Sequence, residues 1–141
     1  MPRSKRGWVG SKVQGYLLDT HTFLWAARAP EKLSRRARRI CETPTKPLLV
    51  SAISLWELIM KCEIGKLEIP ALSSTLPAWV KRLNARVLPL QAEHVLALYG
   101  LPLLHHDPFD RALLAQAQAE NLTLVTQDEQ IHCYSTVKWT W

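Results

Sequence analysis

Tyr16-Leu17-Leu18-Asp19-Thr20-His21-Thr22 decides the reading of this chain: three apolar residues, an acid, then hydroxyl-bearing residues leading into Phe23-Leu24-Trp25. The apolar run is too short for a helix and lacks polar alternation, so it fits a strand covered on both faces. Similar runs lie at 48–50, 86–88 and 122–125, with 137–139 as an added edge strand. Between them come amphipathic stretches that read as helices over 22–27, 34–42, 54–62, 76–84, 91–98 and 108–120. A sheet wrapped by helices, class α/β, follows.

Outward from that first strand, composition narrows the possibilities. A chain of 141 residues, 48% hydrophobic, can bury the core of one domain. No run approaches the roughly 18–20 apolar residues of a membrane span, and no apolar signal core follows the basic start, so a cytoplasmic protein with no membrane partner is expected. Cys41, Cys62 and Cys133 are odd in number and form no Cys-x-x-Cys pair. They read as reduced thiols rather than a disulfide framework or a zinc site. Residues 1–15 form a separate basic extension, expected to be flexible, ahead of a domain over 16–141. That leader holds Arg3, Lys5, Arg6 and Lys12 and no acid, so it carries +4 of the net +6 and leaves +2 for the rest. It reads either as an appendage without a fixed role or as an arm for nucleic acid.

Four acids fall where strands end or helices begin. Asp19 ends the first strand and Asp128 follows the strand through Val125; in a parallel sheet both stand on the carboxyl edge, where open α/β folds bind ligands. Ser54-Leu55-Trp56-Glu57 fits a capping box, which puts Glu57 in the first turn of its helix and turns it toward that edge. Asp107-Pro108-Phe109-Asp110 reads as an aspartate cap, a proline at the first helical position and an acid in the first turn; Asn121 is a plausible stop. Taken singly, Glu57, Asp107 and Asp110 read equally as helix-start acids and Asp128 as a turn former. Asp19, with no evident helix to cap, is harder to explain without a partner. Together, carboxylates converging on one rim repel one another and call for a hard divalent cation, magnesium or manganese, able to activate water against a phosphodiester.

The chain resembles the VapC-type toxins of the PIN-domain family. The resemblance is carried by Leu17-Leu18-Asp19-Thr20-His21-Thr22-Phe23-Leu24-Trp25, by Val50-Ser51-Ala52-Ile53-Ser54-Leu55-Trp56-Glu57-Leu58 with Gly65-Lys66-Leu67, by His105-His106-Asp107-Pro108-Phe109-Asp110-Arg111 with Leu114-Ala115-Gln116-Ala117, and by Leu122-Thr123-Leu124-Val125-Thr126-Gln127-Asp128. It implies a three-layer α/β/α fold with a central, mainly parallel sheet of four to five strands. It also implies the toxin of a type II toxin–antitoxin system: a magnesium-dependent endoribonuclease, with manganese as a substitute, that cuts RNA, forms a homodimer and is restrained by a cognate antitoxin. By that likeness Asp19, Asp110 and Asp128 hold the metal, Glu57 binds metal or positions water, and Thr126 steadies the site. A metal-dependent DNA nuclease and a noncatalytic module that binds RNA or protein remain the alternatives.

Other residues admit two readings each. His105 and His106 touch RNA phosphate or serve the loop, and His21 packs or caps. Arg35, Arg36, Arg38 and Arg39 steer RNA or form a solvated helix face. Arg111 binds phosphate, an antitoxin carboxylate or a surface partner. Leu55, Leu58, Ile59, Ile64 and Leu67 include either a docking surface for an antitoxin helix or core. The tryptophans, Trp25, Trp56 and Trp79 among them, read as core or partner surface.

Overall fold

The computed structural model describes residues 14–141, so the expected extension lies, through residue 13, outside the described residues. Five strands, β1 (Tyr16–Leu18), β2 (Leu48–Ser51), β3 (Arg86–Leu88), β4 (Thr123–Val125) and β5 (Lys138–Thr140), form one sheet in the order β3-β2-β1-β4-β5. Every pairing is parallel, with Tyr16 opposite both Leu48 and Thr123. Leu17, Leu49 and Leu124 face one way and Leu18, Val50 and Val125 the other, and all six are fully buried. Such doubly covered strands explain the unbroken apolar runs.

The helices α1 (Thr20–Arg28), α2 (Arg35–Glu42), α3 (Ala52–Glu63), α4 (Leu72–Arg82), α5 (Ala92–Ala97), α6 (Pro108–Glu120) and α7 (Glu129–His132) make the outer layers. Phe23, Ala37, Leu58 and Trp79 bring α1, α2, α3 and α4 onto the Leu18 face. Leu113, Leu114, Ala117 and Ile131 bring α6 and α7 onto the Leu17 face. Ile53 of α3 joins that second cluster, so α3 spans both cores at the sheet's end. No helix among the described residues is long and apolar enough to cross a membrane.

Several boundaries differ from the sequence reading. Ser51, not Ser54, caps α3: its Oγ accepts from the Ile53 amide at 3.0 Å, and Ser54 lies inside the helix. The capping box over 54–57 is therefore not formed, and Glu57 sits in the second turn. Asp19 does have a helix to cap, because α1 begins at Thr20 rather than 22. The helix expected over 76–84 starts at Leu72 and carries Pro77 in its interior, at the loss of one amide donor. Asp128 caps the short α7, which periodicity cannot reveal in four residues. Asp107 and Asn121 bound α6 as expected, Asn121 in the left-handed region at φ 57. The fold already includes Gly15: its carbonyl accepts from the Thr123 amide, and a Cβ there would meet Leu49 Cδ1 and Pro47 O at 3.0 Å.

Candidate active site

Strand order sets the position of the site. From β1 the chain steps outward through β2 and β3, then returns to place β4 on β1's other side, so connections diverge above the carboxyl ends of β1 and β4. The crevice opened there is a cleft of about 520 Å³. Asp19, Glu57, Asp107, Asp110, Asp128 and Glu129 line it, with Thr20, Thr22, His21, Trp25, Gln127 and Lys61. All four acids singled out in the sequence meet at this cleft.

Each carboxylate is held by a different device. Asp19 accepts from the Thr22 amide at 2.8 Å, its own amide donates to Val125 O, and Thr22 Oγ1 donates to the same carbonyl at 2.9 Å. These bonds lock the β1 end to the β4 end. Burial pushes the Asp19 carboxyl up, against the lowering effect of hydrogen bonds from Thr126 and Thr22. Glu57, only 4% exposed, reaches the cleft from inside α3 and is fixed at both oxygens: Thr20 Oγ1 donates to Oε1 at 2.7 Å and Lys61 Nζ lies 2.9 Å from Oε2. Lys61 follows Glu57 by one helical turn on the same face, an i,i+4 signal legible in the sequence. Thr126 Oγ1 also accepts from the Asp128 amide at 3.0 Å, which ties the strand end to the turn that carries Asp128.

Asp110 is strongly perturbed as well. Its carboxyl is pushed up to about 7, first by desolvation, then by repulsion from Asp107 and Glu57, with His105 opposing and Asp19 adding to the rise. His105 stands against it: Nε2 lies 3.0 Å from Asp110 Oδ2 and 3.2 Å from Asp128 Oδ2. Its Nδ1 accepts from the Asp107 amide at 3.3 Å, so the ring proton resides on Nε2 and points at the two carboxylates. The buried Tyr134 hydroxyl in turn accepts from the amides of Leu104 and His105 at 3.1 and 2.9 Å. The sequence offered His105 a contact with RNA phosphate or a loop role; its contact with Asp128, 23 positions away, appears only in the folded chain.

Ligand atoms of His105, Asp110 and Asp128 lie within 4.8 Å of one another. Hard carboxylate oxygens, half-buried and mutually repelling, suit a divalent cation of magnesium or manganese type. The rise at Asp110 comes first from burial and then from repulsion by Asp107 and Glu57, and a bound cation would relieve that repulsion. Asp19 and Glu57 complete the wall of the same cleft. The remaining residues fall differently. His106 and His21 are exposed, and His21 packs at 5.6 Å from the Trp25 ring. The Arg111 guanidinium donates to Pro102 O and Leu98 O and approaches the Tyr134 hydroxyl, bracing the loop before α6. Leu58 and Trp79 are core, whereas Trp56, Ile59 and Ile64 are exposed.

A sequence model of the PIN domain matches residues 16–135. Among solved structures, the chain is similar to VapBC2 from Rickettsia felis bound to a DNA fragment from its promoter, at 20% identity and TM-score 0.70, over 89% of this chain and 97% of that one. It is also similar to DNA-bound VapBC from Salmonella typhimurium, at 18% identity and TM-score 0.64 over 90% and 97% of the two chains. A third is VapBC-5 of Mycobacterium tuberculosis, a member of the VapBC family of toxin–antitoxin systems, at 14% identity and TM-score 0.54 over 89% and 96%. Comparison with curated proteins gives no match.

Proposed function

The chain belongs to the PIN domain family, and from that premise we propose that it is the toxin of a type II toxin–antitoxin pair, a divalent-metal-dependent endoribonuclease of the cytoplasm. One observation carries the reading: four carboxylates from α3, α6 and the ends of β1 and β4 line one cleft, and Asp110 is pushed up to about 7 largely by burial and by its acidic neighbours. A helix-start acid with a merely structural task has no need of that repulsion. The three solved structures named above are described as VapBC, one of them as a member of a family of toxin–antitoxin systems, and they support the toxin role and an antitoxin partner.

In this reading Asp19, Asp110 and Asp128 hold magnesium or manganese, with Glu57 binding metal or positioning water. A divalent ion there supplies neutralisation of the carboxylates, acidification of water and stabilisation of negative charge on the leaving oxygen. The chain's own groups do the rest. The Asp19 cap fixes one carboxylate to the β1–β4 crevice through Thr22. Lys61 and Thr20 occupy one oxygen each of Glu57, which leaves its remaining lone pairs directed by a rigid frame. His105 holds Asp110 and Asp128 toward one point with a single N–H. Exposed Leu96, Tyr99, Leu103 and Leu104, with Tyr99 98% exposed, offer apolar area for contact with a second copy in a homodimer. Light scattering on the isolated chain tests that dimer.

The decisive experiment compares an unstructured RNA with the DNA of the same sequence, each with magnesium and with chelator. Metal-dependent cutting of RNA is the expected result. Preferential cutting of DNA would replace the ribonuclease by a DNA nuclease, and cutting of neither would leave a binding module.

A further inference from the structure

A second groove, of about 410 Å³, runs along the Leu18 face of the sheet, from the amino ends of β1 and β4 to the last residue of β5. It is lined by Tyr16, Thr123 and Thr140 from the Leu18 face of β1, β4 and β5, by Trp139 of β5, by Arg36, Arg39 and Ile40 of α2 with its C-cap Thr43, and by Thr45 and Lys46. Arg36, Arg39, Ile40 and Thr43 are spaced i, i+3, i+4 and i+7, so one stripe of α2 faces it. No carboxylate among the described residues lines the groove or pairs with Arg36, Arg39 or Lys46, whereas Arg38, on the outward side of the helix, is taken by Glu42. Arg36 Nη1 donates to Thr140 Oγ1 at 3.4 Å, and Lys46 Nζ stands 5.5 Å over the Tyr16 ring and donates to Gln14. Three cations and four threonine hydroxyls form a lining without a compensating charge.

The groove lies close to the cleft. Tyr16 precedes Asp19 by three strand residues, a separation of about 10 Å. At the edge, Thr140 of the groove is followed by Trp141, whose ring packs at 6.2 Å against Trp25 of the cleft. We infer that this groove between α2 and the β1–β4–β5 face is a binding site for the phosphate backbone of the RNA strand that enters the cleft. The inference rests on the ribonuclease reading. It also answers a difficulty in that reading, because a cleft lined by six acids repels a polyanion and cannot by itself give affinity. Arginine, lysine and threonine are the side chains that contact phosphate without reading sequence.

The test uses the full chain in chelator, with a labelled unstructured RNA of about 20 nucleotides followed by fluorescence anisotropy across a salt titration. The variant is R36Q/R39Q/K46Q, at residues that are exposed or half-buried, with its melting curve checked against the parent. The expected result is a loss of affinity of about tenfold or more and a fall of about 2 in the slope of log K against log salt, as for three lost phosphate contacts. Cutting of a dinucleotide, which fits the cleft alone, stays unchanged in magnesium. Equal affinity and slope in parent and variant overturn the groove, as does the absence of RNA binding by the parent. A variant that keeps RNA but loses polyglutamate would assign the groove to an acidic protein segment and also overturn it. Groove-dependent binding without any RNA cutting in magnesium would instead remove the nuclease reading and leave the groove standing.

Discussion

The cleft and the groove are charged oppositely and held together differently. At the carboxyl end, six acids surround one cleft and the four singled out above each meet a donor: Thr22 for Asp19, Thr20 and Lys61 for Glu57, His105 for Asp110 and Asp128. Along the Leu18 face of β1, β4 and β5, Arg36, Arg39 and Lys46 line a groove with one weak hydroxyl contact, one glutamine and one aromatic face between them. Packing acids together in a half-buried place is costly, and only a geometry fixed on several sides keeps them convergent. Exposed cations on long side chains repel through water at little cost and need no such frame. The first arrangement suits one small ion at one point; the second suits a long anion at no particular register. The net charge of +6 conceals both.

The contrast breaks first if the cleft is not the reacting site. Asp19→Asn and Asp110→Asn are each expected to lower RNA cutting by on the order of a thousandfold in single-turnover assays. RNA affinity in chelator should stay level or rise slightly, since each change removes a negative charge while the groove is untouched. Retained cutting in either folded variant would remove the assignment.

Next in size is the strain of the unneutralised cleft. The Asp110 carboxyl rises from 3.8 to about 7 in the folded chain, so between those values the native state binds more protons than the unfolded one. Stability in chelator must then fall as pH rises through that window, by roughly 4 kcal/mol if this group dominates. Asp110→Asn, which never ionises, should flatten that slope and raise the melting temperature near pH 8. Magnesium or manganese should restore the parent at the same pH without stabilising the variant comparably. Denaturant titrations at pH 5 and pH 8 check both statements; a slope of opposite sign would mean that burial does not act on Asp110 as its surroundings indicate.

His105 sharpens the difference between a built cleft and an open groove. His105→Ala leaves Asp110 and Asp128 without their shared donor, and a loss of about 10- to 100-fold in magnesium affinity is expected by calorimetry. His105→Gln, which can still donate one N–H, should recover part of it. A merely structural loop histidine would change the melting curve and leave metal affinity alone.

What the sequence reveals follows the same division. The strands, α6 with Asp107 and Asn121 at its ends, and the convergence of Asp19, Glu57, Asp110 and Asp128 are legible because each is written in neighbouring residues or in strand direction. The start of α3 was not: Ser51 and Ser54 are both capable caps, and Ser51 wins because Ser54 is drawn into the Thr20–Glu57 contact across 34 residues of chain. Asp19 showed no helix to cap because Thr20, His21 and Thr22 are indifferent helix formers, and α1 is extended to Thr20 by packing of Phe23 and Leu24. His105 and Arg111 belong to tertiary contacts through Tyr134, which no local pattern encodes. The basic stripe of α2 was visible as composition, but which arginines are free depends on Glu42 and on the sheet face opposite.

That last point yields the smallest effect and the finest discrimination. Arg38 and Arg39 are adjacent on α2, both exposed and both charged, so substituting either lowers the net charge by one. Arg38 is bound to Glu42 at 2.8 Å on the outward side, and Arg39 lines the groove. If RNA responds only to overall charge, Arg38→Gln and Arg39→Gln should weaken binding equally. If it follows the groove, Arg39→Gln should cost about three- to fivefold and shift the salt slope by about 0.7, while Arg38→Gln stays within about twofold. The surface pair lost in Arg38→Gln is exposed and screened by water, so it contributes little to stability and both variants can be compared as equally folded proteins. Equal weakening by the two substitutions would reduce the basic groove to a diffuse field, and only the acidic cleft would then remain a built site.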